Sequence, residues 1–235
     1  MRNHLLLLAL AMNLAYNGTA QIQVSQEPRH HKVFENEWVR ILDVHIPPHD
    51  TTLMHKHSTP SVFMVLSNTK TGSQVLIEPG KPSFANGNIW FESFADTPRI
   101  HRVWNEDTVE FHVIDMELLH TPSSNAHPIP AIPFSMELFN VKPVQAFRVT
   151  MPPGKSFTLP ALNAPLVIVG LTGPTATGLT ATDAAPSGAT ATGIVNGKPF
   201  TKKGDYLFLP ANGPQLTISN KSGAAETQFA VFILY

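Results

Sequence analysis

The chain has 235 residues, Lys+Arg 16 against Asp+Glu 17, 11 histidines, no cysteine and a formal net charge of −1. That length can bury one large core or two small ones. The near-neutral balance and a charged content of 14% exclude nucleic acid and anionic membrane as main partners, and zero cysteine excludes disulfides, thiolate metal sites, iron–sulfur clusters and cysteine nucleophiles.

Residues 1–20 read as a signal peptide. Arg2 and His4 precede an apolar run over residues 5–11, and small residues, Gly18 and Ala20, stand third-last and last before the expected cleavage point. The alternative is an N-terminal anchor, but the run falls short of the roughly 20 residues that span a bilayer. Cleavage would leave a periplasmic or secreted chain with no membrane contact. An exported protein without disulfides suits a bacterial periplasm.

From about Val33 short alternating runs are broken by Pro, Gly, Asn and Asp, with Pro 21 and Gly 14 in all. Strands are predicted over residues 39–46, 61–66, 89–94 and 108–118, with a single helical turn over 135–139. The spacing argues for an all-β sandwich or barrel. Residues 119–140 read as a linker, His120 to Phe134 being rich in Pro, Ser and Asn. A second β-rich segment follows over 141–235. Inside it residues 173–193 are mostly Thr, Ala and Gly, which predicts a loose hairpin or a flexible loop. A faint repeat links the halves: Pro47-Pro48-His49, His55-Lys56-His57 and Thr71-Gly72 recur 105 residues later as Pro152-Pro153-Gly154, Pro160-Ala161-Leu162 and Thr172-Gly173. Two copies of one β-domain account for this better than one large barrel.

Apart from His4, every histidine lies between His30 and His127. His55 and His57 are two apart, so on a strand both imidazoles leave one face and can occupy adjacent positions on one metal, while Lys56 points the other way. His101 follows Asp96-Thr97-Pro98, with Asn105 four residues on. At these residues the chain resembles the cupin superfamily. Its first motif, G-x5-H-x-H-x3,4-E-x6-G, is matched by His49, His55, His57, Ser61 and Asn68. Its second, G-x5-P-x-G-x2-H-x3-N, survives as Asp96, Pro98, His101 and Asn105. The resemblance covers residues 31–118.

The resemblance implies two tandem jelly-roll β-barrels of the cupin type: a metal-bearing barrel over 31–118 and a degenerate one over 141–235. In the latter Pro160, Leu162 and Leu216 replace the three ligands and Asn220 stands for Asn105. It implies a metal on His55, His57 and His101, although the motif's Glu is Ser61; Asn68 in place of glycine could still turn left-handed. The other reading of the three histidines is a set of relics in a dead barrel, or polar groups lining a binding pocket. Ser61 could hydrogen-bond a metal-bound water or merely fill the space of the Glu. His112 could contact substrate or stand behind a ligand if its strand face is the interior; otherwise it is a hydrogen-bonded core histidine. His49 could add a ligand from its turn, and Glu92 could replace the missing carboxylate. His45 reads as an outer-face residue, His30, His31, His120 and His127 as solvated, and Trp90 and Trp104 as core aromatics.

Imidazole suits Fe, Mn, Ni, Cu and Zn, and three protein ligands leave open positions. Three neutral ligands keep a divalent metal at +2, which favours small anionic bidentate substrates. The expected function is an exported, metal-dependent oxygenase-like enzyme. The alternatives are a non-catalytic periplasmic small-molecule binding protein, or a metal-assisted isomerase or lyase using His112 as its acid or base. Two barrels in one chain can imitate the dimer of single-barrel relatives, and a homodimer is compatible with the sequence.

Overall fold

The structure is a computed structural model, and the residues it describes are 21–76, 78–94, 96–120, 129–173 and 193–235. The expected signal peptide, most of the Thr/Ala/Gly segment and His127 lie outside them. The regular elements of the described chain are all strands except for one 3-10 turn at Val24–Gln26. No helix among the described residues is long and apolar enough to cross a membrane.

The first half contains β1 (Ile22–Gln23), β2 (His30–Glu35), β3 (Val39–Ile46), β4 (His55–His57), β5 (Ser61–Val65), β6 (Asn68–Val75), β7 (Lys81–Asn86), β8 (Ile89–Glu92), β9 (Arg99–Asn105) and β10 (Phe111–Leu118). They form two five-stranded sheets, ordered β1-β4-β9-β6-β7 and β2-β3-β10-β5-β8. The second half contains β11 (Ser135–Val141), β12 (Val144–Met151), β13 (Ser156–Leu159), β14 (Leu166–Gly170), β15 (Gly193–Val195), β16 (Lys198–Phe200), β17 (Tyr206–Leu209), β18 (Leu216–Asn220) and β19 (Thr227–Leu234). Its sheets run β11-β12-β19-β14-β17 and β13-β18-β15-β16. The order β2-β3-β10-β5-β8 is thus repeated as β11-β12-β19-β14-β17, the arrangement of two jelly rolls.

Three apolar cores follow from side-chain alternation. Leu42, Val44 and Ile46 of β3 point into the first half and meet Val65, Phe111 and Val113. Phe147, Val149 and Met151 of β12 do the same in the second half with Ile168, Ile218 and Phe229. The third core lies between the halves. Val39 and Ile41 leave the other face of β3 and, with Met64, Ile114 and Met116, pack on Val144, Val167, Ala230 and Phe232. Strands buried on both faces read as continuous apolar runs instead of alternating ones. Tyr206 Oη donates to Val33 O at 2.7 Å and Arg148 Nη2 to Gly87 O at 3.0 Å across the same seam.

The repeat is structural down to single hydrogen bonds. Asn105 Nδ2 donates to Ile46 O at 3.0 Å and Val109 O at 2.8 Å, and its Oδ1 accepts Asp107 N at 2.8 Å. Asn220 Nδ2 donates to Met151 O at 2.9 Å and Ala225 O at 2.8 Å, and its Oδ1 accepts Ser222 N at 2.8 Å. Both side chains are buried. Asn220→Ala strands two carbonyls and should cost about 2–4 kcal/mol; urea unfolding checks this, and a loss below measurement error would deny Asn220 that role.

Several expectations change. Residues 135–139 belong to β11, not to a helical turn; β11 lies against β12, and tertiary pairing overrides local preference there. Asn68 begins β6 in extended conformation, so the left-handed turn falls on His49, whose φ of 60 matches the φ of 68 at Gly154. The first half also begins earlier than residue 31, because β1 pairs in parallel with β4, Ile22 opposite His55. A two-residue strand carries no periodicity by which to recognise it.

Candidate metal centre

β4 is three residues long and pairs antiparallel with β9, placing His55 directly opposite His101. The two-residue spacing sends His55 and His57 to one face while Lys56 faces away. Ring centroids of the three histidines lie 5.0, 4.7 and 5.0 Å apart. One ligating nitrogen from each lies within 4.8 Å of the others.

His55 Nδ1 sits 2.8 Å from Leu53 O, which fixes that nitrogen as the donor and leaves Nε2 as acceptor. His55 Nε2, His57 Nδ1 and His101 Nε2 are buried without hydrogen-bond partners. Burial, with repulsion from His30, pushes His55 down to about 4. Burial and the neighbouring histidines hold His57 and His101 well below the ordinary histidine range. All three are neutral at physiological pH, with lone pairs available. Orphaned buried polar atoms are costly, and here they converge; the donor set fits a divalent transition metal.

A carboxyl group stands near the histidines on another strand. Asp115 leaves β10 on its inner face and lines the same cavity. Its Oδ2 lies 3.6 Å from His57 Nδ1, and neither carboxyl oxygen has a hydrogen-bond partner. Burial and the nearby Glu117 push its carboxyl well above the usual range, against the weaker pull of Ser61 and Arg40. Ser61 lies beside it, but its hydroxyl donates to Thr59 O at 3.1 Å and the residue does not line the cavity. Ser61 is therefore placed beside Asp115, the carboxyl that faces His57.

His112 does not reach this centre. It leaves β10 on the face opposite Asp115, the face of Ile114 and Met116 that packs on the second half. The run Phe111–Leu118 is buried on both faces and each face mixes apolar with polar residues, so alternation alone could not say which face was the interior. Glu92 is committed to Arg99, whose two terminal nitrogens lie 3.3 and 3.1 Å from its two oxygens, and His49 stays on its turn. His30, expected in a solvated loop, opens β2 and is buried, its ring 4.8 Å from that of His55. Its Nδ1 bonds Glu27 Oε2 at 2.6 Å. Burial opposes the charge on Glu27, but bonds from His30, Leu53 N and Arg29 N win and hold it below its ordinary range.

The histidines open onto a cavity of about 240 Å³ walled by Phe63, Phe84, Trp90 and Phe111. Phe63 and Trp90 stack with centroids 5.1 Å apart, and Trp90, 37% exposed, is a wall of the site and not a core aromatic. In the second half Pro160 and Leu162 line a separate cavity of about 370 Å³ that carries no imidazole or carboxylate, and Leu216 is buried in the core.

No protein-family profile matches the sequence, and no curated protein matches it. Solved structures do. The bacterial pirin YhhW of Escherichia coli, in complex with nickel(II), aligns with a TM-score of 0.56 at 15% identity over 87% of this chain and 90% of that one. Salicylate 1,2-dioxygenase of Pseudoaminobacter salicylatoxidans, solved with gentisate adducts, gives a TM-score of 0.54 at 12% identity over 86% and 70%. A cupin 2 conserved barrel protein of Leptotrichia buccalis gives 0.50 at 12% over 87% and 87%. The chain has the cupin fold, all β, and within it a three-histidine cluster.

Proposed function

We propose that this chain is an exported metal-dependent enzyme of the oxygenase type, acting on a small anionic organic molecule, with the metal held by His55, His57 and His101. The observation that carries the reading is the convergence of three buried, neutral, unpartnered imidazole nitrogens on an apolar cavity. Iron, manganese, nickel, copper and zinc all suit imidazole. The nickel bound by YhhW and the gentisate adducts of salicylate 1,2-dioxygenase support a metal and a small aromatic acid. Export rests on the run over residues 5–11 followed by Gly18 and Ala20.

A divalent metal there would supply Lewis acidity and open positions for an anionic substrate and a second small molecule. The protein does the rest. The three imidazoles contribute no charge, so a substrate's negative charge is matched by the metal. Arg99 is already paired with Glu92. Phe63 and Trp90 give a flat apolar wall that suits an aromatic ring and displaces water. The Glu27 carboxylate holds His30 at Nδ1, leaving Nε2 as the nitrogen that can take a proton from substrate beside His55. The isomerase or lyase reading loses its candidate acid–base group, since His112 lies across the sheet.

The test begins with metal analysis and the intact mass of the purified mature protein. It continues with oxygen uptake on hydroxybenzoates, diketones, flavonoids and thiols after loading with Fe(II), Mn(II), Ni(II), Cu(II) or Zn(II). Near-stoichiometric metal, a chain starting at Gln21 and metal-dependent oxygen uptake on one of these classes are expected. Metal without oxygen uptake under any loading would leave a binding protein, and Met1 on the exported protein would remove the signal peptide.

A further inference from the structure

His112, excluded from the cavity, meets Asp43 and His45 on the other face of the same sheet. Asp43 and His45 are two apart on β3, and His112 lies directly opposite His45 in the β3–β10 register. His112 Nε2 lies 2.7 Å and His45 Nε2 3.2 Å from one atom, Asp43 Oδ1. The two imidazoles stack at 4.2 Å with 19° between their planes. One ligating atom from each of the three residues lies within 4.8 Å of the others.

We propose that Asp43, His45 and His112 form a second divalent-metal site, distinct from the three-histidine centre and of the zinc or copper type. Four observations carry it. First, ligands at about 2.0–2.1 Å in a tetrahedron stand roughly 3.3 Å apart; His45 Nε2 is already at 3.2 Å from Asp43 Oδ1, and rotation of the His112 side chain outward from its 2.7 Å contact opens a place for an ion. Secondly, Glu110 Oε1 lies 2.8 Å from His45 Nδ1. It accepts the Nδ1–H and aims Nε2 at Asp43, as the outer carboxylates of metal-bound histidines commonly do; the ion would displace the proton that Nε2 shares with Asp43 Oδ1. Thirdly, two imidazoles with one carboxylate is a donor set that zinc and copper(II) prefer over calcium or magnesium, and Asp43 with Glu110 offsets the charge of a divalent ion. Fourthly, the three side chains are only partly exposed, 21%, 33% and 17% for Asp43, His45 and His112. Water can complete the shell while Gly204 of the second half closes over His112. A Cβ built on Gly204 would come within 3.4 Å of His112 Cε1. The site lies at the edge of the seam between the halves, where an ion would tie β3 to β10.

The test uses the full chain and zinc as probe. In the variant His55→Ala/His57→Ala/His101→Ala, titration calorimetry at pH 7.5 should still find one equivalent of Zn(II). Adding His45→Gln and His112→Gln should weaken that binding at least 100-fold, and Glu110→Gln should weaken it about 10–100-fold without changing the stoichiometry. As a control on folding, His45→Gln/His112→Gln is also made in the wild-type chain, where one equivalent must disappear while circular dichroism is unchanged. Copper(II) in the triple variant should give an electron paramagnetic resonance signal with nitrogen couplings that the added substitutions abolish. The proposal is overturned if the triple variant folds and binds no zinc tighter than millimolar. It is also overturned if His45→Gln/His112→Gln leaves the wild-type zinc stoichiometry unchanged.

Discussion

His57→Ala or His101→Ala should lower metal affinity by more than about 100-fold, because loss of even an outer-sphere partner commonly costs 10–100-fold and these are proposed direct ligands. The fold should survive, since the cores are aliphatic and aromatic and alanine removes a buried nitrogen that has no partner without metal. The effect on melting should therefore be conditional. Metal at 1,000 times its Kd stabilises a folded protein by about 4 kcal/mol; wild type should gain that stabilisation and the variants little of it. Differential scanning fluorimetry with metal and with chelator reads the difference directly. Equal metal-induced shifts in wild type and His101→Ala would sink the assignment.

The same residues set an acid limit. Their pKa values are depressed in the folded state, His55 to about 4 and the other two well below the ordinary histidine range. As pH falls below about 6.5 the unfolded chain takes up protons that the folded chain refuses, so stability falls with pH. For His55 the loss runs from about pH 6.5 and levels off near its folded value of about 4. The metal-free triple alanine variant should lack this slope.

Asp115 should show opposite effects on stability and on metal binding. It is fully buried beside His57 with no hydrogen-bond partner on either oxygen. Because burial raises its pKa, its contribution to stability is present below the unfolded carboxyl value near 3.9 and is lost as pH rises toward the folded value. Asp115→Leu, whose extra volume can extend into the cavity that Asp115 lines, should raise the stability of the metal-free protein by about 1–3 kcal/mol, the usual cost of one unpaired buried polar group. Asp115→Asn keeps the shape but cannot ionise beside a cation held next to His57. It should weaken metal binding about 10–100-fold. Urea unfolding in chelator and metal titration of the two variants test both halves. Asp115→Asn with wild-type affinity would show that Asp115 does not help to hold the cation.

Much of this was legible in the residues. The short runs cut by Pro and Gly specify strands, and the spacing of His55 and His57 specifies one shared face, because strand geometry is a local property with a period of two. The repeat at 105 residues and the matched Asn105 and Asn220 foretold two similar halves, each asparagine bonding one carbonyl of its own turn and one at the end of β3 or β12. The match of His101 to a known motif supplied the third histidine.

Which neighbour meets which face was not legible. Strands such as Val39–Ile46 and Phe111–Leu118 are buried on both sides, one against their own interior and one against the other half. Alternation names two faces without saying which is which. For that reason the sequence leaves His112 open between the interior and a hydrogen-bonded core position, and does not single out Asp115 on the other face. His30 and Glu27 look like loop residues until β1 and the adjoining turn fold against β4. Local sequence determines backbone period and turn positions; packing of one sheet between two cores, which depends on contacts far apart in the chain, decides that Asp115 faces the three histidines and that His112 faces Asp43.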